Sequence, residues 1–164
     1  MWEGLPEAEI SFNLRCNKKV IMFSNSTKYA IKAVLYLAVN SSEEKKVKIK
    51  DIDEPINVPK AYIAKLLQEL AKRKVISSTK GPKGGFYLSK ANREMTVIDI
   101  INAIDGENRI HKCLLSLHEC DNENPCALHH LVFKEKQIIE ENLVNTTIGK
   151  LARHIKEVKS VLPL

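Results

Sequence analysis

One stretch limits the fold more than any other: an amphipathic helical pattern that runs directly into a basic, glycine-rich hairpin. Ile63, Leu66, Leu67 and Leu70 recur at i, i+3, i+4 and i+7, which gathers them on one buried face. The opposite face carries Ala61, Lys65, Gln68 and Lys72. Pro59 marks the start, because its fixed φ and missing N–H suit the first helical position. Residues 75–79 then read as a strand, Lys80 to Gly85 as a Gly/Pro turn, and residues 86–89 as the return strand. In this reading Gly84 and Gly85 supply positive φ and close backbone approach, so that their amides press against a phosphate. Lys80 and Lys83 add charge at the same tip.

The elements upstream complete the pattern. Ser24 to Thr27 offers several helix caps, and Tyr29, Ala30, Ala33, Val34, Leu37 and Ala38 follow at helical spacing until Asn40-Ser41-Ser42. Val47-Lys48-Ile49 alternates like a short strand. Asp51 is placed to cap a second helix at Ile52, which Pro55 keeps short. Helix, short helix, turn, amphipathic helix and basic hairpin, in that order, make a winged helix-turn-helix. The fold class is therefore mainly α, with a small β-hairpin wing. The formal net charge of +6 suits a polyanionic partner, and 5% aromatic residues are too few for a platform that stacks single strands. Lys60, Tyr62 and Lys65, near the start of the third helix, are the expected contacts to bases and phosphates in the major groove of double-stranded DNA. Lys80, Lys83, Gly84 and Gly85 are the expected contacts of the wing.

Downstream, Thr96 and Asp99 form a capping pair ahead of Val97, Ile100, Ile101 and Ile104, and Gly106 ends that helix. A cysteine-bearing loop spans 107–126, and a longer helix covers roughly 127–144. Thr146-Thr147 caps a last helix in which Ile148, Leu151, Ile155, Val158 and Leu162 alternate three and four apart, a coiled-coil-like spacing. These C-terminal helices are the expected seam of a homodimer. The chain thus divides into a loosely ordered extension (1–21), a winged helix-turn-helix (22–94), and a helix, cysteine loop and dimerisation helices (95–164).

No apolar run is long enough to span a bilayer, and the first 21 residues carry Glu3, Glu7 and Glu9 where a signal peptide has an apolar core. A cytoplasmic protein without membrane contact is expected. No paired nucleophile and base, P-loop or isolated carboxylate pair is present, so an enzyme is not expected.

In a reducing compartment, cysteines serve as metal ligands or redox thiols more often than as disulfides. Cys113, Cys120 and Cys126 fall within fourteen residues, and His129 follows three residues after Cys126. The spacing is wider than the C-x-x-C pair of structural zinc sites. It lets three thiolates wrap a larger inorganic body, and iron–sulfur clusters accept His in place of Cys. Free redox thiols and buried structural cysteines are the alternatives. Cys16 stands apart in the extension, and His111, His118 and His130 read as exposed side chains.

Three stretches resemble the Rrf2 type of bacterial regulator, whose IscR-like and NsrR-like members carry iron–sulfur clusters. Residues 29–38 look like that family's first helix, residues 80–88 like its wing, and Cys113, Cys120 and Cys126 like its cluster ligands. The resemblance runs from about Met22 to Leu162. It implies a homodimer on a palindromic operator, with binding modulated by an iron–sulfur cluster, 2Fe–2S in preference to 4Fe–4S. His129 stands where IscR-like members place a histidine ligand, which makes it the implied fourth ligand. Tyr29 occupies the place of the acidic helix-one ligand of NsrR-like members. Lys80 and Lys83 replace the family's usual wing Arg and Gly, and lysine lacks the bidentate fork of arginine. Two other readings stay open: a regulator of the same fold using zinc or bare thiols, and a cluster-binding adaptor that does not bind DNA.

Overall fold

The computed structural model describes residues 23–107, 109–113, 115 and 122–158. The extension 1–21, Cys16, His118, Cys120 and Leu162 lie outside the described residues.

The first helix, α1 (Asn25–Asn40), starts where Ser24 accepts from the Thr27 N–H. Its inner face, Ala30, Ala33, Val34, Leu37 and Ala38, is fully buried. A 3-10 turn (Ile49–Asp51) leads into the four-residue α2 (Asp53–Ile56). Asp51 does not cap α2: its carboxylate accepts the Lys48 N–H at 3.2 Å and closes the preceding turn. Helix α3 (Lys60–Lys72) buries the expected Ile63, Leu66, Leu67 and Leu70. Strands β1 (Ser77–Thr79) and β2 (Gly85–Tyr87) form the hairpin, with Ser78 opposite Phe86. The expected strand at 47–49 shrinks to one residue: Val47 pairs with Phe86 on the free side of β2 before the 3-10 turn begins.

Helix α4 (Lys90–Glu94), which periodicity does not signal, links the hairpin to α5 (Val97–Asp105). At the start of α5 the Asp99 carboxylate accepts from both the N–H and the hydroxyl of Thr96, each at 2.8 Å. Gly106, at φ +86°, ends the helix in a conformation that L side chains avoid. The last two helices are α6 (His129–Asn145) and α7 (Ile148–Val158). The core is one cluster contributed by α1, α3, α5 and α7, beside a smaller one around Val97, Ile101 and Ile110.

The first residues of the α7 stripe, Ile148 and Leu151, pack within this chain. Ile148 is fully buried and Ala152 nearly so, both within the chain's own main cluster. The same apolar stripe serves either kind of seam, and its first turns pack α7 onto this chain's own core. Helix α6 differs: none of its residues is buried.

Candidate nucleic-acid interface and cysteine loop

Lys60 and Lys65 project from α3 into solvent, as do Ala61, Gln68 and Lys72. Tyr62 is 37% exposed. Its ring meets Tyr29 edge-on at 6.0 Å, and its hydroxyl lies 2.7 Å from Ser26 Oγ. Tyr62 is therefore both an exposed residue of α3 and a strut to the first turn of α1. A pair of aromatic rings in this geometry contributes on the order of 1 kcal/mol.

The wing is held by a polar knot at its root. After α3 the chain turns through Lys74 at φ 62°. The N–H of Lys74 donates to Ala71 O and that of Val75 to Leu70 O, the paired bonds of a Schellman C-cap. The side chain of Asn92, buried at 6%, binds this turn from behind. Its amide donates to Lys74 O at 2.7 Å, and its oxygen accepts from Ser77 Oγ, Ser89 N and Ser89 Oγ. One buried residue thus joins the end of α3, the start of β1 and the cap of α4.

Lys80 and Lys83 are exposed at the tip. The glycines differ from expectation. Positive φ falls on Gly81, at 102°, and not on Gly84 or Gly85. The Gly84 N–H donates to Gly81 O at 2.9 Å, so this amide is used inside the turn rather than offered to a phosphate. A Cβ at Gly84 would stand 2.3 Å from Thr79 O, and one at Gly85 2.6 Å from Val47 O. Both glycines are needed for the close approach of other chain segments. The partner of Gly85 is the Val47 segment, far away in the sequence.

The cysteine loop leaves α5 through Asp105. This carboxylate accepts the Ser24 hydroxyl at 2.6 Å and the Ser24 N–H at 3.2 Å, and it faces Arg109 at 3.7 Å. Ile110 anchors the loop in the smaller core cluster, which Leu143 of α6 also joins. Two further bonds tie the loop to α6: Lys136 Nζ donates to Lys112 O at 2.8 Å, and His111 Nε2 meets Glu140 Oε1 at 3.3 Å.

Cys113 is 7% exposed and its sulfur lies 3.4 Å from that of Cys126. A disulfide closes to about 2.05 Å, while two thiolates at about 2.3 Å from one tetrahedral metal stand roughly 3.8 Å apart. The observed separation is nearer the second. His129 opens α6, with its N–H donating to Cys126 O at 2.9 Å. Its ring stacks on Phe133 at 4.5 Å and its Nε2 is 2.9 Å from Asn122 Oδ1. Among the described residues no three His, Cys, Asp or Glu side chains close into a metal-sized group, and Cys120 is not among them. Sequence reasoning pointed to the cysteines and His129. It did not find Asn122, Asn92 or Asp105, whose partners are distant in the chain or unmarked by any motif.

Among the described residues no helix is long and apolar enough to cross a membrane. The model of the Rrf2 family, described as an iron-dependent transcriptional regulator, matches residues 23–154. A protein of Aquifex aeolicus (strain VF5) described as an HTH-type transcriptional regulator is 37% identical over 133 residues, covering 80% of this chain and 91% of that one. The HTH-type transcriptional regulator IscR of Pectobacterium carotovorum subsp. carotovorum (strain PC1) is 31% identical over 134 residues, 82% of this chain and 80% of its own. Among solved structures, CymR, the global cysteine regulator of B. subtilis, superposes with a TM-score of 0.65 at 23% identity over 80% of this chain and 96% of its own, a likeness of fold. The matched relatives are regulators and not enzymes. With its helix-turn-helix, its wing and a family match that covers most of its length, this chain belongs to the Rrf2 family and is a DNA-binding transcription regulator.

Proposed function

We propose that this regulator acts in the cytoplasm as a homodimer on a palindromic operator, and that an iron–sulfur cluster at the cysteine loop modulates its binding. The observation that carries this reading is the 3.4 Å approach of Cys113 and Cys126 in a loop bonded directly to α6. The donor set fits such a group: two converging sulfurs, a third cysteine seven residues after Cys113, and a histidine one helical turn beyond Cys126. Cys113, Cys120, Cys126 and His129 would hold the cluster, 2Fe–2S in preference to 4Fe–4S. When bound, it supplies a group whose charge and ligation respond to oxidants, nitric oxide and iron supply. The iron-dependence in the family's description supports the same assignment.

The remaining parts are the chain's own. Lys60, Tyr62 and Lys65 face the major groove from the start of α3. Lys80 and Lys83 grip the backbone at the wing. Gly84 and Gly85 keep a role there as the residues that let the wing fold tightly, while the Gly84 amide is used inside the turn rather than in the expected phosphate clamp. Lysines at the tip make that grip electrostatic and salt-dependent. Helix α6 supplies the seam, because Leu131 and Ile138, two turns apart, are 60% and 56% exposed. Loop and seam are linked through Lys112–Lys136 and His111–Glu140, and loop and α1 through Asp105–Ser24. A change in the loop therefore reaches both the spacing of two subunits and the helix that braces Tyr62.

The test is anaerobic purification followed by visible absorption spectroscopy, iron and sulfide counting, and titration against DNA with and without the cluster. Iron and sulfide with a changed affinity on cluster loss are expected. A colourless, iron-free protein with normal operator binding overturns the cluster assignment, and stoichiometric zinc replaces it with a zinc site. Absence of salt-sensitive DNA binding, or full retention of it in Lys65→Glu with Lys83→Glu, overturns the assigned contacts. The first of these results favours an adaptor.

A further inference from the structure

The segment between α1 and α2 lies against the wing as a third chain. Val47 donates its N–H to Phe86 O at 2.9 Å and accepts the Phe86 N–H at 2.8 Å. Gly85 makes this approach possible, since a Cβ there would sit 2.6 Å from Val47 O. Val47 is buried, so strand alternation turns Lys46 and Lys48 to the outer side. Lys46 confirms this, with its amine 5.7 Å above the ring of Tyr87. The pairing is antiparallel. The chain leaving Val47 therefore runs toward the tip of the wing, which carries Lys80 and Lys83, and brings Lys48 and then Lys50 of the 3-10 turn to that end of β2. All four are exposed.

Neighbouring carboxylates do not neutralise this segment by direct pairing. Asp51 accepts the Lys48 backbone N–H, Asp53 accepts the Glu54 N–H, and Glu44 accepts the Ser42 hydroxyl. Among the described residues, neither Lys48 nor Lys50 forms an ion pair.

We propose that Lys48 and Lys50 form a second phosphate-contacting ridge beside the wing, one that neither α3 nor the wing tip supplies. The proposal rests on the reading of the wing as a DNA contact. Two lysines on a backbone segment braced against β2 are point charges suited to phosphates rather than to base edges. They widen the footprint along the duplex backbone without adding sequence preference.

The experiment measures binding of the full chain to mixed-sequence duplex DNA by fluorescence anisotropy across a salt series. Each phosphate contact contributes about 0.9 to the slope of log affinity against log salt. The Lys48→Ala/Lys50→Ala variant is expected to lose about 1.8 from the native slope and to bind more weakly at every salt concentration. Arg153→Ala/Lys156→Ala removes the same charge from exposed positions on α7 and is expected to keep the native slope. An unchanged slope in the Lys48/Lys50 variant, beside a steep native one, overturns the ridge alone. Equal losses in the two variants overturn it in favour of bulk charge. Native protein without salt-dependent DNA binding overturns the ridge together with the wing reading.

Discussion

The side-chain amide of Asn92 donates to the backbone carbonyl of Lys74 at 2.7 Å and so fastens the start of α4 to the turn that ends the recognition helix. The same side chain's oxygen receives Ser77 at the root of β1. The angle between α3 and the wing therefore depends on one buried amide. Replacing Asn92 with Ala leaves buried partners unmet, a cost of roughly 2–4 kcal/mol for more than one lost bond. Asn92→Asp keeps the acceptor but turns a carboxylate oxygen toward Lys74 O, and it is expected to destabilise as well. Chemical denaturation of the two variants checks both expectations. A loss below about 0.5 kcal/mol for Asn92→Ala would show that the knot contributes little.

Lys74 itself holds a left-handed conformation, φ 62°, at a position where helices usually place glycine. For an L residue this conformation costs on the order of 1 kcal/mol. Lys74→Gly is therefore expected to raise stability by about 0.5–1 kcal/mol, roughly 1–4 °C in Tm for a chain of this size. The gain is partly offset by the larger entropy of glycine when unfolded. Differential scanning calorimetry reads the sign directly, and a lowered Tm would mean that the lysine side chain makes a contribution beyond its backbone.

These two residues show where the sequence is legible. Helix α3 could be read because four apolar residues share one face, and the start of α5 because Thr96 and Asp99 are three apart. Both signals are local. The role of Asn92 is not local: its partners Lys74 and Ser77 lie 18 and 15 residues away. Gly85 was legible as a position that needs a small residue, but the reason is contact with Val47, which no hairpin rule contains. The cysteines were legible because their chemistry resides in the residue type, whereas the bonds from the loop to α6 depend on how the loop folds back. The stripe of α7 was legible as apolar and silent about its partner.

Helix α6 makes the complementary case. Leu131 and Ile138 remain exposed after the chain has folded, so charges there should not disturb the monomer. Leu131→Glu/Ile138→Glu is expected to leave the secondary structure of the monomer unchanged by circular dichroism, while any dimer-linked stability falls with self-association. It should weaken self-association by about 2 kcal/mol per buried residue, roughly thirtyfold each. Sedimentation velocity over a concentration series distinguishes dimer from monomer. A native protein that sediments as a monomer, or a variant that stays dimeric, would move the seam elsewhere.

The cysteine pair gives the last prediction. Cys113 is buried, whereas Cys126 is half-buried just ahead of α6. Their sulfurs converge from opposite ends of the loop, thirteen residues apart in sequence. A serine at either position keeps the shape but replaces a soft thiolate with a weak oxygen ligand, which iron–sulfur centres seldom use. Cys126→Ser is the cleaner variant, because its side chain contributes less packing. It is expected to be folded by circular dichroism and to retain iron at less than about a tenth of the native content when purified without oxygen, a loss equivalent to at least about 1.4 kcal/mol of binding. His129→Ala leaves the three thiols in place and removes the imidazole held by Asn122 and Phe133. It is expected to keep part of the iron while shifting the visible spectrum, because one ligand changes and the others do not. If Cys126→Ser carries native iron and sulfide, the pair is not part of the site. If His129→Ala leaves the spectrum unmoved, the fourth ligand is another residue, and the stacked imidazole serves only to begin α6.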